Sequence, residues 1–303
     1  MADRKLKIGI ISAGRVGSAF GSALRALGHE IVGAYAHSEA SRERLETMLP
    51  GVPALEIEEI VTRSELVLFA VPDDELAGLV SGLAKLGLFR PGQIVIHVAG
   101  RYGTSVLDPA AEAGALPLAI HPAMTFTGTS LDVARLSGCP CAVTGSPLYL
   151  PIAQALVVEI GGVPVVIAEE DRALYHAALA HGANHLVTLI GQSMRILSAV
   201  GVAEPGEYLR PLCEAALDGV LRSGESSQTG PVVRGDTGTI REHLEALDAL
   251  SQSETMDASS STSYSDIPPL YRALASTAAD RAVQRRALTL EKAEQVRKIC
   301  DNL

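Results

Sequence analysis

Residues 5–30 read KLKIGIISAGRVGSAFGSALRALGHE. The first seven positions form a short apolar run rich in β-branched residues, Ser12-Ala13-Gly14 interrupts it, and Arg15 to Gly28 carries Ala and Leu at helical spacing. Strand, glycine turn and helix in that order open a βαβ unit. The pattern recurs: apolar runs at 30–36, 65–71 and 93–100 alternate with helical segments at 38–49 and 73–87. Such alternation predicts an α/β fold with a doubly wound, mostly parallel sheet and helices on both faces. Apolar runs at 117–122, 138–145 and 163–168, with a helix near 147–160, extend that sheet.

After residue 168 the strand signal stops. Helical periodicity fills 169–201 and dominates to Leu303, so the sequence divides into an α/β domain, 1–168, and an all-helical domain, 169–303. Within the second, the Ser-rich stretch at 251–266 has almost no apolar content and reads as a solvated surface loop. A phosphorylated regulatory site is the other reading, but no basic pattern adjoins it.

The 303 residues are 47% hydrophobic and 20% charged, a globular balance. With 25 basic against 35 acidic residues, a net charge of −10 and no basic patch, nucleic acid and anionic membranes are excluded as expected partners. No apolar run approaches a membrane span, and the N-terminus lacks an export cleavage site. The four cysteines, Cys139, Cys141, Cys213 and Cys300, are too few for a disulfide framework in so long a chain and predict a cytoplasmic setting.

Ser12-Ala13-Gly14-Arg15-Val16-Gly17 has the spacing of a dinucleotide fingerprint, with Ser12 at the first glycine's position. Gly14 lets the backbone approach a pyrophosphate, Gly17 lets the helix pack on the strand, and the helix start offers N–H groups to the anion. Glycine turns also serve plain packing, but this one follows the first strand of a βαβ unit. At the end of the second strand an acidic residue would select NAD through the ribose 2′-hydroxyl. The sequence there is Ala36-His37-Ser38-Glu39-Ala40-Ser41-Arg42. His37, Ser38 and Arg42, aided by Arg15, suit a 2′-phosphate and predict NADP. Glu39 argues the other way, and Arg42 and Arg44 could instead pair with Glu39, Glu43 and Glu46 along a helix face. Val71 and Pro72 fall at the carboxyl edge of the sheet, where ligands of such folds bind; Pro72 also suits a helix start, and Asp73 or Asp74 a cap.

The long helical segment contains His176, His181, Asn184 and His185, the last three sharing one face. A polar cluster in an otherwise apolar, buried-looking helix needs partners, although each histidine taken singly reads first as a hydrogen-bonded or surface structural residue. Metal is not expected: HGANH lacks the glutamate of HExxH, and no Cys or carboxylate completes a set. His121, in HPAMTF (121–126), forms a second candidate wall. Arg234, in the loop from Thr229 to Asp236, could anchor a carboxylate bidentately or pair with Asp236, which itself suits a helix cap.

Together with AVPDD (70–74) and HVAG (97–100), these motifs resemble the Rossmann-like proteins that carry a C-terminal DUF2520 domain, over almost the whole chain. That family is similar to the 6-phosphogluconate dehydrogenases, β-hydroxyacid dehydrogenases and ketopantoate reductases. The resemblance implies an NADP-binding first domain with Ala99 among its contacts, a helical second domain, and a homodimer made through the helices. β-Hydroxyacid dehydrogenases carry Lys-x-x-Asn on the first long helix of the second domain; here the spacing is His181-x-x-Asn184. The implied activity is NADP-dependent reduction of a small keto acid or related carbonyl, ketopantoate-like first. His181 would supply the proton, Asn184 would orient the carbonyl, and His121, His185 or Arg234 would bind the polar tail. A sensor that binds NADP without hydride transfer is the second reading, motivated by Ser12 and the missing lysine.

Overall fold

The computed structural model describes residues 5–253 and 263–302. Seven strands, β1 (Lys7–Ile11), β2 (Glu30–Tyr35), β3 (Leu66–Phe69), β4 (Ile94–His97), β5 (Leu116–Pro122), β6 (Pro140–Thr144) and β7 (Val163–Val166), form one sheet. Around it lie α1 (Arg15–Ala26), α2 (Glu39–Met48), α3 (Ile57–Arg63), α4 (Asp73–Lys85), α5 (Asp108–Glu112), α6 (Leu131–Arg135) and α7 (Leu150–Glu159). The rest is helical: α8 (Arg172–Ala199), α9 (Pro205–Ser223), α10 (Pro231–Arg234), α11 (Thr237–Ser253), α12 (Ile267–Gln284) and α13 (Leu290–Asn302).

Strand order is β2-β1-β3-β4-β5-β6-β7. From β1 the chain moves outward to β2 and then crosses back to β3, so the crevice between the carboxyl ends of β1 and β3 is the topological switch point. All four residues of β3 are buried, as are Ile8, Ile10 and Ile11 of β1. Burial on both faces is why these strands read as continuous apolar runs rather than alternating ones. The first five strands are parallel, β6 pairs antiparallel to β5, and β7 pairs parallel to β6.

The chain forms two compact units, Met1–Ala183 and Asn184–Leu303, which divide within α8. The core of the second is built from α11, α12 and α13, through Ile240, Leu244, Ala275, Ala279 and Val296. The apolar side chains of α8 are less buried than the sequence suggests: Leu174 and Val187 are 74% and 73% exposed. Helix α9 buries none of its residues. Of the expected Ser-rich loop, 254–262 lie outside the described residues, while 251–253 close α11 and Asp266 is tied to α8 by Gln192 and Arg195. No helix among the described residues is long and apolar enough to cross a membrane.

Candidate functional site

At the switch point β1 ends and α1 begins within four residues. Ser12 holds φ +82°, a region that L residues avoid and glycine occupies freely. The residue replacing the first glycine thus keeps a glycine's conformation. The Ala13 N–H donates to the Tyr35 carbonyl (2.7 Å), tying the turn to the end of β2. A Cβ on Gly17 would collide with the Ser12 carbonyl and come within 3.1 Å of Ala70 and Ile10, whereas one on Gly14 would meet only the Ser12 hydroxyl at 3.3 Å. Gly17 therefore serves helix-on-strand packing, and Gly14 leaves the backbone approachable. No side chain caps the start of α1, so Arg15, Val16 and Gly17 open a helix terminus suited to an anion.

Three arginines surround this turn. Arg15 begins α1, the Arg42 guanidinium reaches back to the His37 carbonyl (3.4 Å), and Arg44 donates to the Ala13 carbonyl (3.4 Å). Among the described residues, neither Arg42 nor Arg44 pairs with Glu39, Glu43 or Glu46; the helix-face alternative is not what forms. Arg44 is a candidate site residue that sequence spacing missed, since its contact spans 31 positions. It packs with Arg15 on the backbone of Gly128, where a Cβ would lie 2.8 Å from Arg44 Nε and 3.0 Å from Arg15 Cγ. Fully buried Asp132 fixes that loop by accepting the N–H groups of Thr127 (3.1 Å) and Gly128 (2.7 Å).

Ser38 caps α2, accepting the Ser41 N–H (3.2 Å), while His37 stays exposed. Val71 and Pro72 lie at the carboxyl end of β3, with Pro72 the residue before α4. Asp73 and Asp74 lie inside that helix rather than capping it and pair with Arg101 at 3.3 and 2.6 Å. Ala99 is buried and donates its N–H to His97 Nδ1 (3.1 Å).

A second cluster joins the ends of β4 and β5 to the start of α8. Because His97 Nδ1 accepts from Ala99, its Nε2–H donates to the Gly103 carbonyl (2.6 Å), and burial holds its pKa down at about 4. His121 Nδ1 lies 2.9 Å from the Tyr175 hydroxyl, and its ring meets His176 edge-on at 6.0 Å. Burial first, then the Arg172 charge, keeps His121 at a pKa of about 4. A Cβ on Gly100 would lie 2.6 Å from His176 Cδ2 and 3.0 Å from His121 Nε2, so glycine alone passes these rings without displacing them.

Arg172 is 1% exposed. Its Nε donates to Thr144 Oγ1 (2.8 Å), and Nη2 to the carbonyls of Ala119 (3.2 Å) and Ala142 (3.3 Å), one on each side of the antiparallel seam. Nη1 has no hydrogen-bond partner among the described residues. Burial lowers its pKa only to about 10, so the charge persists at neutral pH. Glu169 completes the cluster, accepting the N–H groups of Thr104 (2.6 Å) and Ser105 (3.1 Å).

His181 is exposed on α8, about 140° around an ideal helix from His176. The structure therefore gathers His121, Tyr175 and His176, and leaves His181 on another face of the same helix. In the helical unit Asn184 and His185 are exposed on α8, and Arg234 is exposed at the end of α10. Asp236 caps α11 by accepting the Thr239 N–H (3.2 Å) and hydroxyl (2.8 Å). Among the described residues, no three His, Cys, Asp or Glu side chains converge on a metal position.

A doubly wound sheet with a glycine turn at its switch point defines a Rossmann-like protein, and residues 1–122 match the Rossmann-like domain. Residues 139–278 match the domain of unknown function DUF2520. The chain belongs to the family that joins these two domains. No curated protein matches it in sequence. Among solved structures, it is similar to a Bacteroides fragilis protein proposed to be an NADP oxidoreductase (TM-score 0.72, 20% identity, 91% of this chain and 99% of that one). It is also similar to protein TM1727 of Thermotoga maritima (0.64, 21%, 92% and 99%). A third likeness is to a reductive aminase of Aspergillus terreus in complex with NADPH and ethyl-5-oxohexanoate (0.56, 14%, 99% and 93%). These likenesses establish a shared fold.

Proposed function

We propose that the chain is an NADP-dependent oxidoreductase that reduces a small keto acid or related carbonyl. The observation that carries this reading is the set of arginines, Arg15, Arg42 and Arg44, gathered at the fingerprint turn without carboxylate partners among the described residues, in a chain of net charge −10. Such a cradle suits a phosphorylated ribose beside a pyrophosphate. The NADP-bound state of a similar fold supports it. Ser12 keeps the glycine conformation of the fingerprint, so its chemistry does not argue for lost cofactor binding.

The nicotinamide cofactor supplies hydride when bound. The protein's own groups hold its phosphates and deliver a proton. In the tautomer with hydrogen on Nδ1, neutral His121 donates to the Tyr175 oxygen, leaving the phenol proton for the substrate oxygen. Burial raises the Tyr175 pKa and keeps the phenol protonated before the reaction, and the Arg172 guanidinium, 5.9 Å from the Tyr175 ring centre, offsets part of that cost when the phenolate forms. His181 with Asn184 is the competing donor, by analogy with Lys-x-x-Asn. NADPH oxidation against a panel of keto acids, ketones and imines tests both. Tyr175→Phe is expected to lower turnover by about 10²–10⁴-fold, the usual contribution of proton transfer, while His181→Ala retains it; the reverse outcome moves the role to His181. NADPH binding without turnover on any substrate would favour the sensor.

The assembly that fits the chain is a homodimer through the helices. Helix α9 exposes Leu212 (68%) and Leu221 (77%), apolar surface that a second copy would cover. Light scattering at micromolar concentration should read twice the chain mass, and a monomer would refute it.

A further inference from the structure

The helical unit contains a cavity of about 390 Å³ that the cofactor reading does not use. Its walls come from α8 (Leu189, Ile196), α10 (Val232) and α12 (Leu270, Leu274, Ala278), and its polar positions are Gln192, Ser193, Gln228, Thr229, His243 and Tyr271. The cavity opens to solvent on one side, with Leu189 and Leu274 partly exposed along it, and its walls need contacts that hold them apart. Here the bracing is explicit. Gln192 on α8 donates to the carbonyl (3.1 Å) and carboxylate (2.8 Å) of Asp266, just before α12, and Arg195 donates to the same carboxylate at 2.6 Å. On the other side the 229–236 loop turns at Gly230 (φ +105°) and Gly235 (φ +68°), conformations that favour glycine, and Asp236 anchors it to α11.

Among the described residues the lining carries no Lys, Arg, Asp or Glu. Several charges on these elements are engaged in pairs: Arg195 with Asp266, Arg272 with Asp248, and Arg281 and Arg285 with Glu225. A charged ligand would lose hydration in this cavity and gain no counter-ion. The polar feature is the His243–Tyr271 pair, Nδ1 to hydroxyl at 2.7 Å with the rings edge-on. Because either partner can carry the shared hydrogen, the pair can offer a bound molecule a donor or an acceptor.

We infer that this cavity is a binding site for an uncharged small molecule with a compact hydrocarbon body and one hydroxyl, carbonyl or amide group. Size and lining match those of small-molecule sites in general, mostly apolar with a few placed polar groups. The assignment is independent of the nicotinamide reading, since every residue in it lies in the helical unit, and either can fail alone.

Benzyl alcohol and benzoate, which share a ring and differ in charge, are suitable probes for a ligand-observed NMR titration of the full chain. Benzyl alcohol should bind saturably, and benzoate at least tenfold more weakly. Ala278→Leu, which fills the cavity from α12, and Ser193→Leu, which fills it from α8, should each weaken benzyl alcohol at least tenfold; with two walls altered separately, one folded variant suffices. Tyr271→Phe should weaken it about threefold or more. Absence of saturation, equal affinity for benzoate, or undiminished affinity in the filled variants would overturn the assignment; a cavity closed by a second copy would appear as absence of saturation.

Discussion

Replacing Ser12 by glycine should stabilise the protein, against the rule that added glycine weakens a fold. Ser12 sits at φ +82°, where an L residue costs about 1–2 kcal/mol. Glycine removes that cost and adds about 0.5–1 kcal/mol of unfolded-chain entropy. The Ser12 hydroxyl makes no hydrogen bond within the described residues, so none is lost. The net gain is about 0–1.5 kcal/mol, or a rise in Tm of up to about 6 °C for a unit of this size. Urea denaturation should show a higher midpoint at unchanged slope. Ala13→Gly, one residue on and outside the left-handed region, is the control and should lose about 0.5–1 kcal/mol. Ser12→Val should lose more, because a β-branched residue tolerates positive φ poorly. If Ser12→Gly destabilises as much as Ala13→Gly, the turn is not strained and the argument is wrong.

Arg44→Ala should weaken NADP binding by about 10–100-fold, the loss of one charge-assisted contact, while leaving NAD binding within about threefold; equal losses for both would remove Arg44 from the 2′-phosphate cradle. Gly100→Ala should cost about 1–3 kcal/mol through overpacking on His121 and His176, and His176→Ala in the same chain should restore part of it in a double-mutant cycle. His97 is fully buried with its pKa held from 6.5 down to about 4. Its folded value lies below the unfolded one, so the stability it contributes is complete above pH 6.5 and is lost as pH falls toward 4, about 3 kcal/mol in all. His97→Gln should flatten the denaturation midpoint across that window, and an unchanged acid dependence would contradict the assignment.

The strands were legible because burial on both faces leaves unbroken apolar runs, and the fingerprint because a turn must be contiguous in sequence. Direction was not: the local pattern of β6 is the same whether it runs with or against β5, and the antiparallel seam depends on where the intervening loop returns. Arg44 escaped notice because its role comes from a contact with a turn 31 residues earlier. Arg172 and Tyr175 look like ordinary polar positions on a helix, and only the fold brings them beneath Thr144 and beside His121. Spacing places His181, Asn184 and His185 on one face of α8, but as a one-dimensional property it does not report which histidine of the helix reaches His121, a contact that His176 makes.

Helix α8 also has a consequence for local opening. Its first turn is bolted by Arg172 to carbonyls of two strands, while Gln192 and Arg195 bind it to the entrance of α12 in the other unit. One uninterrupted helix thus belongs to two cooperative structures. Amides near 176–180 should exchange with solvent deuterium at the opening free energy of the sheet, and those near 190–196 at that of the helical bundle. Denaturant that melts one unit first would then leave half of α8 protected, with the break falling near the division at Ala183 and Asn184.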